Sequence, residues 1–410
     1  MSRRDARENE ECMDDSKRVS ADEIASSTDT PLLHGKASPN REPPILSVRN
    51  LNVYFDTPSG SRHILGEIEF DLKRNETLCI VGESGSGKTV MMHALLGLLS
   101  VEPGVVSGEI LVGHNGQTSN LLEGISDAIR PIERGGARRF EKRPGWMRRY
   151  RKKTRAVLGR ELGLIFQNPR SSLDPLVRVG KQVEASVRQA NPKVKGRARR
   201  RESLRWLERV ALDRPEEVYE LYPHQLSGGM CQRVAIAQIL AWGPRIIIAD
   251  EPTTGLDATI QAEILHLIRS VRRDNHLSLI LITHDFDVVE RMADRLLVLY
   301  RGRIVERTTH WTSARHRIHP YTRELMRSVR VFQRFEEKRR MPPESDFPNG
   351  GGHAPVSWST GCAFAPRCVP RARGGEEIRH RCDHEVPPLI EREDGWWIRC
   401  HLGGMEGEEV

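Results

Sequence analysis

Gly82-Glu83-Ser84-Gly85-Ser86-Gly87-Lys88-Thr89 comes after the apolar run Thr77-Leu78-Cys79-Ile80-Val81 and precedes Val90-Met91-Met92-His93-Ala94-Leu95. The first run has the length and composition of a buried strand, and the residues after the loop suit a helix extending to roughly Leu99. Between them, Gly82, Gly85 and Gly87, with Ser84 and Ser86, allow a loop whose backbone N–H groups point inward at phosphate oxygens. Lys88 supplies a mobile ammonium for the β- and γ-phosphates. The Thr89 hydroxyl is placed to bind Mg²⁺ at the start of a helix whose dipole adds to the attraction for phosphate. Strand, G-x-x-x-x-G-K-T loop and helix in that order predict an α/β fold of the P-loop NTPase type.

A phosphate loop alone leaves GTPases, kinases, helicases and many ATPases open. Leu226-Ser227-Gly228-Gly229-Met230 removes most of them, and with the loop it indicates two copies of one domain closing on ATP. Ile246-Ile247-Ile248-Ala249 is a run of strand length ending in Asp250-Glu251, so both carboxylates emerge at the C-terminal edge of a parallel sheet. Asp250 can hold Mg²⁺ through its water shell, and Glu251 is the natural general base or water-orienting group for attack on the γ-phosphate. Leu279-Ile280-Leu281-Ile282-Thr283 brings His284 to the same edge, where an imidazole can hydrogen-bond the γ-phosphate and the attacking water. Gln167, at the end of Leu164-Ile165-Phe166, is within reach of Mg²⁺ or water. Taken singly, each of these is an ordinary polar residue after a strand. Their order along one chain makes them a site.

In that order the motifs resemble the ATP-binding cassette (ABC) family from about Ile45 to Arg330: phosphate loop, Q-loop Gln167, signature Ser227 to Met230, Asp250-Glu251, D-loop Gly255-Leu256-Asp257 and switch His284. The resemblance implies an ABC nucleotide-binding domain with a helical subdomain at about 167–242. It also implies that Ser227, Gly228 and Gly229 reach the γ-phosphate held by a partner domain, and that Asp257 communicates across the dimer. Adenine would stack on Phe55, with Tyr54 as the alternative. Cys231 stands where the family usually has a basic residue. Finer markers resemble the ATP-binding subunits of dipeptide and oligopeptide importers, whose relatives also carry nickel complexes or glutathione. These are Gln167-Asn168-Pro169-Arg170-Ser171-Ser172-Leu173-Asp174-Pro175, the run Thr253 to Ala262, His319-Pro320-Tyr321-Thr322, and Gly361-Cys362-Ala363-Phe364-Ala365-Pro366-Arg367-Cys368. This closer resemblance implies an ATPase at the cytoplasmic face of the plasma membrane, working with two integral-membrane permease subunits, a second cassette and an extracytoplasmic substrate-binding protein.

With 410 residues, a main domain plus appendages is expected. No apolar run approaches the roughly 20 residues of a membrane span. Residues 1–44 read as a disordered polar tail without a signal peptide, and 331–360, rich in Pro and Gly, as a linker. The 64 basic and 56 acidic side chains leave a net charge of +8. Much of the excess lies in a lineage-specific insertion at about 115–158, where Arg138, Arg139, Lys142, Arg143, Arg148, Arg149, Arg151, Lys152, Lys153 and Arg155 crowd together. A solvated basic loop is one reading, and contact with anionic lipid headgroups is the other.

Seven cysteines and no secretory signal argue against a disulfide framework. Cys12 falls in the tail, and Cys79 on a buried strand. Cys362, Cys368, Cys382 and Cys400 are confined to the C-terminal segment 361–410, which is too short for a core of its own without a staple. Resemblance to peptide-importer subunits implies a [4Fe–4S] cluster on these four thiolates, with Zn²⁺, recruiting His380, His384 or His401, or unligated thiols as the alternatives. A soluble ABC ATPase acting on nucleic acid or ribosomes is the reading from another class, with the basic insertion as its contact. Such proteins usually carry two cassettes or a long coiled-coil insertion, and neither is visible here.

Overall fold

The computed structural model describes residues 42–114, 117–309, 311, 319–327, 361–392 and 395–404. Of the tail expected over 1–44, residues 1–41 lie outside them, as do Cys12 and the linker expected over 331–360. The described chain from Pro44 onward belongs to one compact unit. It enters as an antiparallel hairpin, β1 (Leu46–Thr57) and β2 (Gly60–Leu72), then runs through β3 (Thr77–Val81) into α1 (Lys88–Leu95). β4 (Pro103–His114) and β5 (Gln117–Asn120) complete an antiparallel sheet ordered β2-β1-β4-β5. The insertion holds α2 (Ile125–Ala128), a hairpin of β6 (Ile129–Arg134) and β7 (Ala137–Lys142), and α3 (Trp146–Val157). β8 (Leu162–Ile165) leads to a helical layer of α4 (Pro169–Ser172), α5 (Val179–Ala190), α6 (Gly196–Arg209), α7 (Pro215–Glu220) and α8 (Gly228–Trp242). Strands and helices then alternate: β9 (Ile246–Asp250), α9 (Ala258–Asp274), β10 (Ser278–Thr283), α10 (Phe286–Met292), β11 (Arg295–Tyr300), β12 (Arg303–Thr308) and α11 (Pro320–Arg327). The cysteine segment contributes α12 (Val369–Arg373), α13 (Glu376–His384) and a hairpin of β13 (Leu389–Arg392) and β14 (Trp396–Arg399).

The second sheet is ordered β13-β14-β12-β11-β3-β10-β9-β8, and β11, β3, β10, β9 and β8 are parallel neighbours. Parallel strands are covered on both faces, which is why they read as unbroken apolar runs. Because successive side chains point to opposite faces, each run feeds two cores. Cys79, Val81, Ile247, Ala249, Leu279 and Leu281 pack with the helices α5 to α9. Leu78, Ile80, Ile246, Ile248, Ile280 and Ile282 pack with α1 and the antiparallel sheet. No helix of the described residues is long and apolar enough to cross a membrane.

Two local expectations change. α1 stops at Leu95 rather than near Leu99, because Gly97 turns the chain at φ +65° and a Cβ there would lie 2.3 Å from Thr154 Oγ1. The basic insertion is folded rather than a loop: Trp146, Tyr150 and Thr154, four residues apart, form the buried face of α3, and the Tyr150 hydroxyl donates to the Ala94 carbonyl of α1. The basic side chains Arg148, Arg149, Arg151, Lys152 and Arg155 remain on the exposed side.

The cysteine segment continues this architecture. β14 pairs with β12 through Glu306↔Ile398 and Arg307↔Trp397, and Phe364, Cys368, Trp396, Ile398 and Cys400 join the core that contains the helical layer. A segment too small to bury its own apolar surface uses its neighbour's. Beside the seam, the fully buried Glu306 carboxylate accepts from the His319 N–H at 2.9 Å and from the Thr322 hydroxyl, while the Tyr321 N–H donates to His319 Nδ1 at 3.0 Å. His319-Pro320-Tyr321-Thr322 is thus the start of α11, with Pro320 at its first position. Burial pushes the Glu306 carboxyl up to about 8 and the His319 imidazole down to about 4.

Between the ordinary glutamate value and about 8, the unfolded chain releases a proton that folded Glu306 keeps, so this group makes stability fall as pH rises and adds no slope above that window. Thermal denaturation between pH 5 and 8 is expected to show the wild type losing stability relative to Glu306→Gln as pH rises, His319 contributing the opposite slope in both proteins; parallel profiles for the two proteins would refute the assignment.

Candidate active site

Thr283 stands opposite Val81 and Ile282 opposite Asp250 in the parallel ladders, so Gly82, Glu251 and His284 leave the sheet at one edge. That edge is where ligands bind in such sheets. The loop needs its glycines for distinct reasons. Gly87 has φ +108°, and a Cβ on Gly82 would lie 2.2 Å from the Leu299 carbonyl oxygen. The Ser86 N–H donates to the Glu83 carbonyl at 3.1 Å, and the Gly302 N–H from the β11–β12 turn donates to the Ser86 carbonyl at 2.7 Å. Lys88 Nζ donates to the carbonyls of Gly82 (2.6 Å) and Glu83 (2.9 Å). Burial lowers the pKa of Lys88, and the carboxylates of Glu251, Asp250 and Glu83 oppose that shift. Asp250 is pushed up to about 6 by burial and then by the charge of Glu251 beside it. Ser84, Gly85 and Thr89 are exposed, and Ser86 Oγ is buried without a hydrogen-bond partner. An unpartnered hydroxyl and the Lys88 ammonium in a glycine-rich loop are the donor types that suit a phosphate.

Glu251 collects the other polar groups. Its Oε2 accepts from Gln167 Nε2 at 2.9 Å and from the Thr254 hydroxyl at 3.1 Å, and its Oε1 accepts from His284 Nδ1 at 3.0 Å. Its backbone is left-handed at φ +45°, a conformation that costs a non-glycine residue about 1 kcal/mol or more. The Glu251 N–H, donating to the Ile282 carbonyl at 2.9 Å, holds it there. The structure therefore brings together Gln167, Glu251 and His284, three residues predicted separately from three strand ends.

Ser227 caps α8, its Oγ accepting from the Met230 N–H at 3.2 Å, and Asp257 caps α9 by accepting from the Ile260 N–H at 3.0 Å. The two ends touch: a Cβ on Gly229 would lie 2.8 Å from Ile260 Cγ2. Among the described residues no hydrogen bond joins Ser227, Gly228 or Gly229 to this chain's own phosphate loop. Tyr54 stacks on His63 with centroids 4.1 Å apart and meets Phe140 of β7 at 4.6 Å. Phe55 is half-buried next to it on β1. Cys79 is in the core, and the buried Cys231 thiol lies 3.6 Å from the Pro223 carbonyl.

The ABC transporter family profile matches residues 65–254, which contain the phosphate loop, the signature and Glu251. The chain is 35% identical over 375 residues to the dipeptide transport ATP-binding protein DppD of Bacillus subtilis, covering 89% of this chain and 97% of that protein. It belongs to the ABC transporter ATPases. A second relative is DppD of Haemophilus influenzae, 37% identical with 87% of this chain and 95% of that protein covered. The glutathione import ATP-binding protein GsiA of Pectobacterium atrosepticum is 40% identical over 70% of this chain and 42% of its own length. Among solved structures, CbiO1 of Clostridium perfringens, part of an ABC transporter complex, matches with a TM-score of 0.50 at 25% identity, covering 73% of this chain and 96% of that one. Membership in this family brings ATP and Mg²⁺ as the ligands of the site.

In this ABC ATPase the four C-terminal cysteines lie in one packed region, Cys368 and Cys400 in the core, Cys382 with Ile378, and Cys362 against both. The Cys362 N–H donates to the Cys382 carbonyl at 2.8 Å, and Cys368, Cys382 and Cys400 are buried with Cys362 half-buried. Burial pushes the Cys368 thiol up to about 12, and charge on Cys400, Cys362 or Cys382 would push it in the same direction. Even so, among the described residues no three His, Cys, Asp or Glu side chains close on a common point that could hold a metal ion. His380 and His384 stack on each other, and His401 Nε2 bonds the Glu385 carbonyl while its buried Nδ1 has no hydrogen-bond partner.

Three contacts at the nucleotide loop and Glu251 were not anticipated from sequence. Thr254 touches Glu251, Tyr321 accepts from the Glu83 N–H at 2.8 Å, and Arg367 grips the Glu83 carboxylate. Tyr321 and Arg367 do belong to segments singled out as markers of the peptide-importer branch, and that was the available signal.

Proposed function

We propose that this ABC ATPase powers uptake of dipeptides or oligopeptides, as the ATP-hydrolysing subunit of an importer at the cytoplasmic face of the plasma membrane. The observation that carries the mechanism is Glu251, held at the sheet edge beside the phosphate loop by Gln167, Thr254 and His284. In this reading Gly82 to Gly87 and Lys88 hold the phosphates, while Thr89, Asp250 and Gln167 hold Mg²⁺. Glu251 takes the proton of the attacking water, and His284 orients the γ-phosphate and the base. Phe55 stacks on adenine, because the Tyr54 ring is already engaged by His63 and Phe140. Ser227, Gly228, Gly229 and Asp257 serve the site of a second cassette, a reading supported by their place together at the adjoining starts of α8 and α9.

The substrate class rests on relatives named as dipeptide transport proteins, matched over nearly their whole length. The resemblance to GsiA supports a glutathione importer as the alternative, with nickel complexes carried by the same branch. Two permease subunits and a substrate-binding protein complete the assembly. Exposed apolar side chains flank Gln167 where a permease helix would dock: Phe166 is 44% exposed and Leu176 is 85% exposed. The exposed basic face of α3 is proposed to meet anionic headgroups, each Lys or Arg contributing about 1 kcal/mol. A [4Fe–4S] cluster on Cys362, Cys368, Cys382 and Cys400 is supported by their packing in one region and opposed by the lack, among the described residues, of a common ligation point.

Glu251→Gln is expected to retain ATP and lose hydrolysis by about a hundredfold or more, the loss expected of a general base; near-normal turnover would overturn the role. Gentle detergent extraction and affinity capture of the chain should recover two permease subunits and a second ATPase. Anaerobic preparation of the same complex should contain iron and acid-labile sulfide in equal amounts. Ribosomal proteins or DNA in place of permeases would reject the importer, and zinc or metal-free protein would reject the cluster. Replacing Arg148, Arg149, Arg151, Lys152 and Arg155 by Gln leaves the buried face of α3 intact and should weaken binding to anionic vesicles; undiminished binding would dispose of the lipid contact.

A further inference from the structure

Glu83 is the one acidic residue within the phosphate loop Gly82 to Thr89. All of its polar groups are held. The N–H donates to the Tyr321 hydroxyl at 2.8 Å, and the carbonyl accepts from Lys88 Nζ at 2.9 Å and from the Ser86 N–H at 3.1 Å. The carboxylate accepts two bonds from Arg367, at 2.8 and 2.9 Å, one to each oxygen. This fork-to-fork pairing is the strong, geometrically selective form of an ion pair.

Arg367 lies 284 residues further along the chain, in the cysteine segment immediately before Cys368. The short turn Ala365–Arg367 holds it in place: the Ala365 N–H donates to the Cys362 carbonyl (3.0 Å), the Arg367 N–H to Phe364 (3.0 Å) and the Cys368 N–H to Ala365 (3.2 Å). Its guanidinium also bonds Glu324 of α11 and lies 5.7 Å from the Phe364 ring centroid. Tyr321 is on α11 as well, so one helix and one turn hold Glu83 together.

An unneutralised carboxylate on this loop would stand beside the bound polyphosphate, where like charges repel. We propose that Arg367 is a positioning residue for the nucleotide site: from the cysteine segment it pairs with the charge of Glu83, sharing its guanidinium with Glu324, and fixes the phosphate loop in its binding geometry. The cysteine segment and the ATP site are then thermodynamically linked. Whatever orders the turn around Cys362 and Cys368 strengthens nucleotide binding, and bound nucleotide in turn orders the segment. The inference rests on the phosphate loop being the ATP site, which binding of ATP by the wild-type chain reports independently of Arg367.

The test is titration of the full-length chain with a fluorescent ATP analogue, for the wild type, R367M, R367K and the double variant R367M/E83Q. R367M is expected to weaken binding about tenfold, the scale of losing a charge-assisted pair. Adding E83Q should recover most of the affinity, because the exposed negative charge is removed with it. A merely structural role for Arg367 would not be rescued in this way. R367K conserves charge without the fork, and should show an intermediate loss with faster hydrogen exchange over residues 82–88. Wild-type affinity in R367M and R367K, or a double variant as weak as R367M alone, would overturn the proposal; a wild-type chain that binds no ATP would overturn the site assignment beneath it.

Discussion

The position of β3 between β10 and β11 is the constraint on which the rest depends. Both of its edges are paired in parallel, and both of its faces are buried, so its register cannot slip without moving apolar side chains from one core to the other. The next strand over, β9, is locked to β10 in the same way. Fixing these ladders fixes where the strands end. The phosphate loop, the Asp250-Glu251 pair and His284 are therefore delivered to one edge by packing forces that have nothing to do with phosphate.

Once delivered, the polar groups must satisfy each other in a partly dehydrated setting. Asp250 and Glu251 carry like charges side by side, and the rise of Asp250 to about 6 reflects its burial first and that neighbouring charge second. Lys88 offsets some of that charge, while Gln167, Thr254 and His284 share the Glu251 carboxylate. The bond from the Glu251 N–H to the Ile282 carbonyl holds this residue at a positive φ that a non-glycine side chain disfavours. At Glu251 a disfavoured backbone and crowded charge coincide.

The C-terminal segment brings a second kind of dependence. Its hairpin adds two strands to the central sheet, its apolar side chains enter an existing core, and its Arg367 and the preceding helix α11 close on Glu83. The buried Glu306 sits at that seam and orients the start of α11 through His319 and Thr322. Segment, seam and phosphate loop thus share one set of contacts. What looks in sequence like an appendage behind a linker is structurally part of the nucleotide site's support.

Short-range chemistry was legible in the sequence, and contacts between distant segments were not. The glycines between Thr77–Val81 and the helix after Lys88, and the apolar runs ending at Asp250-Glu251 and at His284, each announce a local backbone state, and the loop, helix and strands are found there. The strand runs likewise announce burial on both faces. The basic insertion, by contrast, folded because Trp146 and Tyr150 had a core to enter, and a local reading of so dense a run of charge does not reveal that core. The cysteines and Arg367 carry the same lesson: sequence spacing proposed ligands and branch markers, while the path of the chain decided that the thiols pack in one region without closing on a point and that Arg367 meets Glu83. By itself the sequence determined the loop, the strands and the chemical groups at their ends, because those depend on neighbours along the chain. Only the tertiary structure decided which of those groups share a charge or a hydrogen bond, because that depends on which distant surfaces are buried against each other.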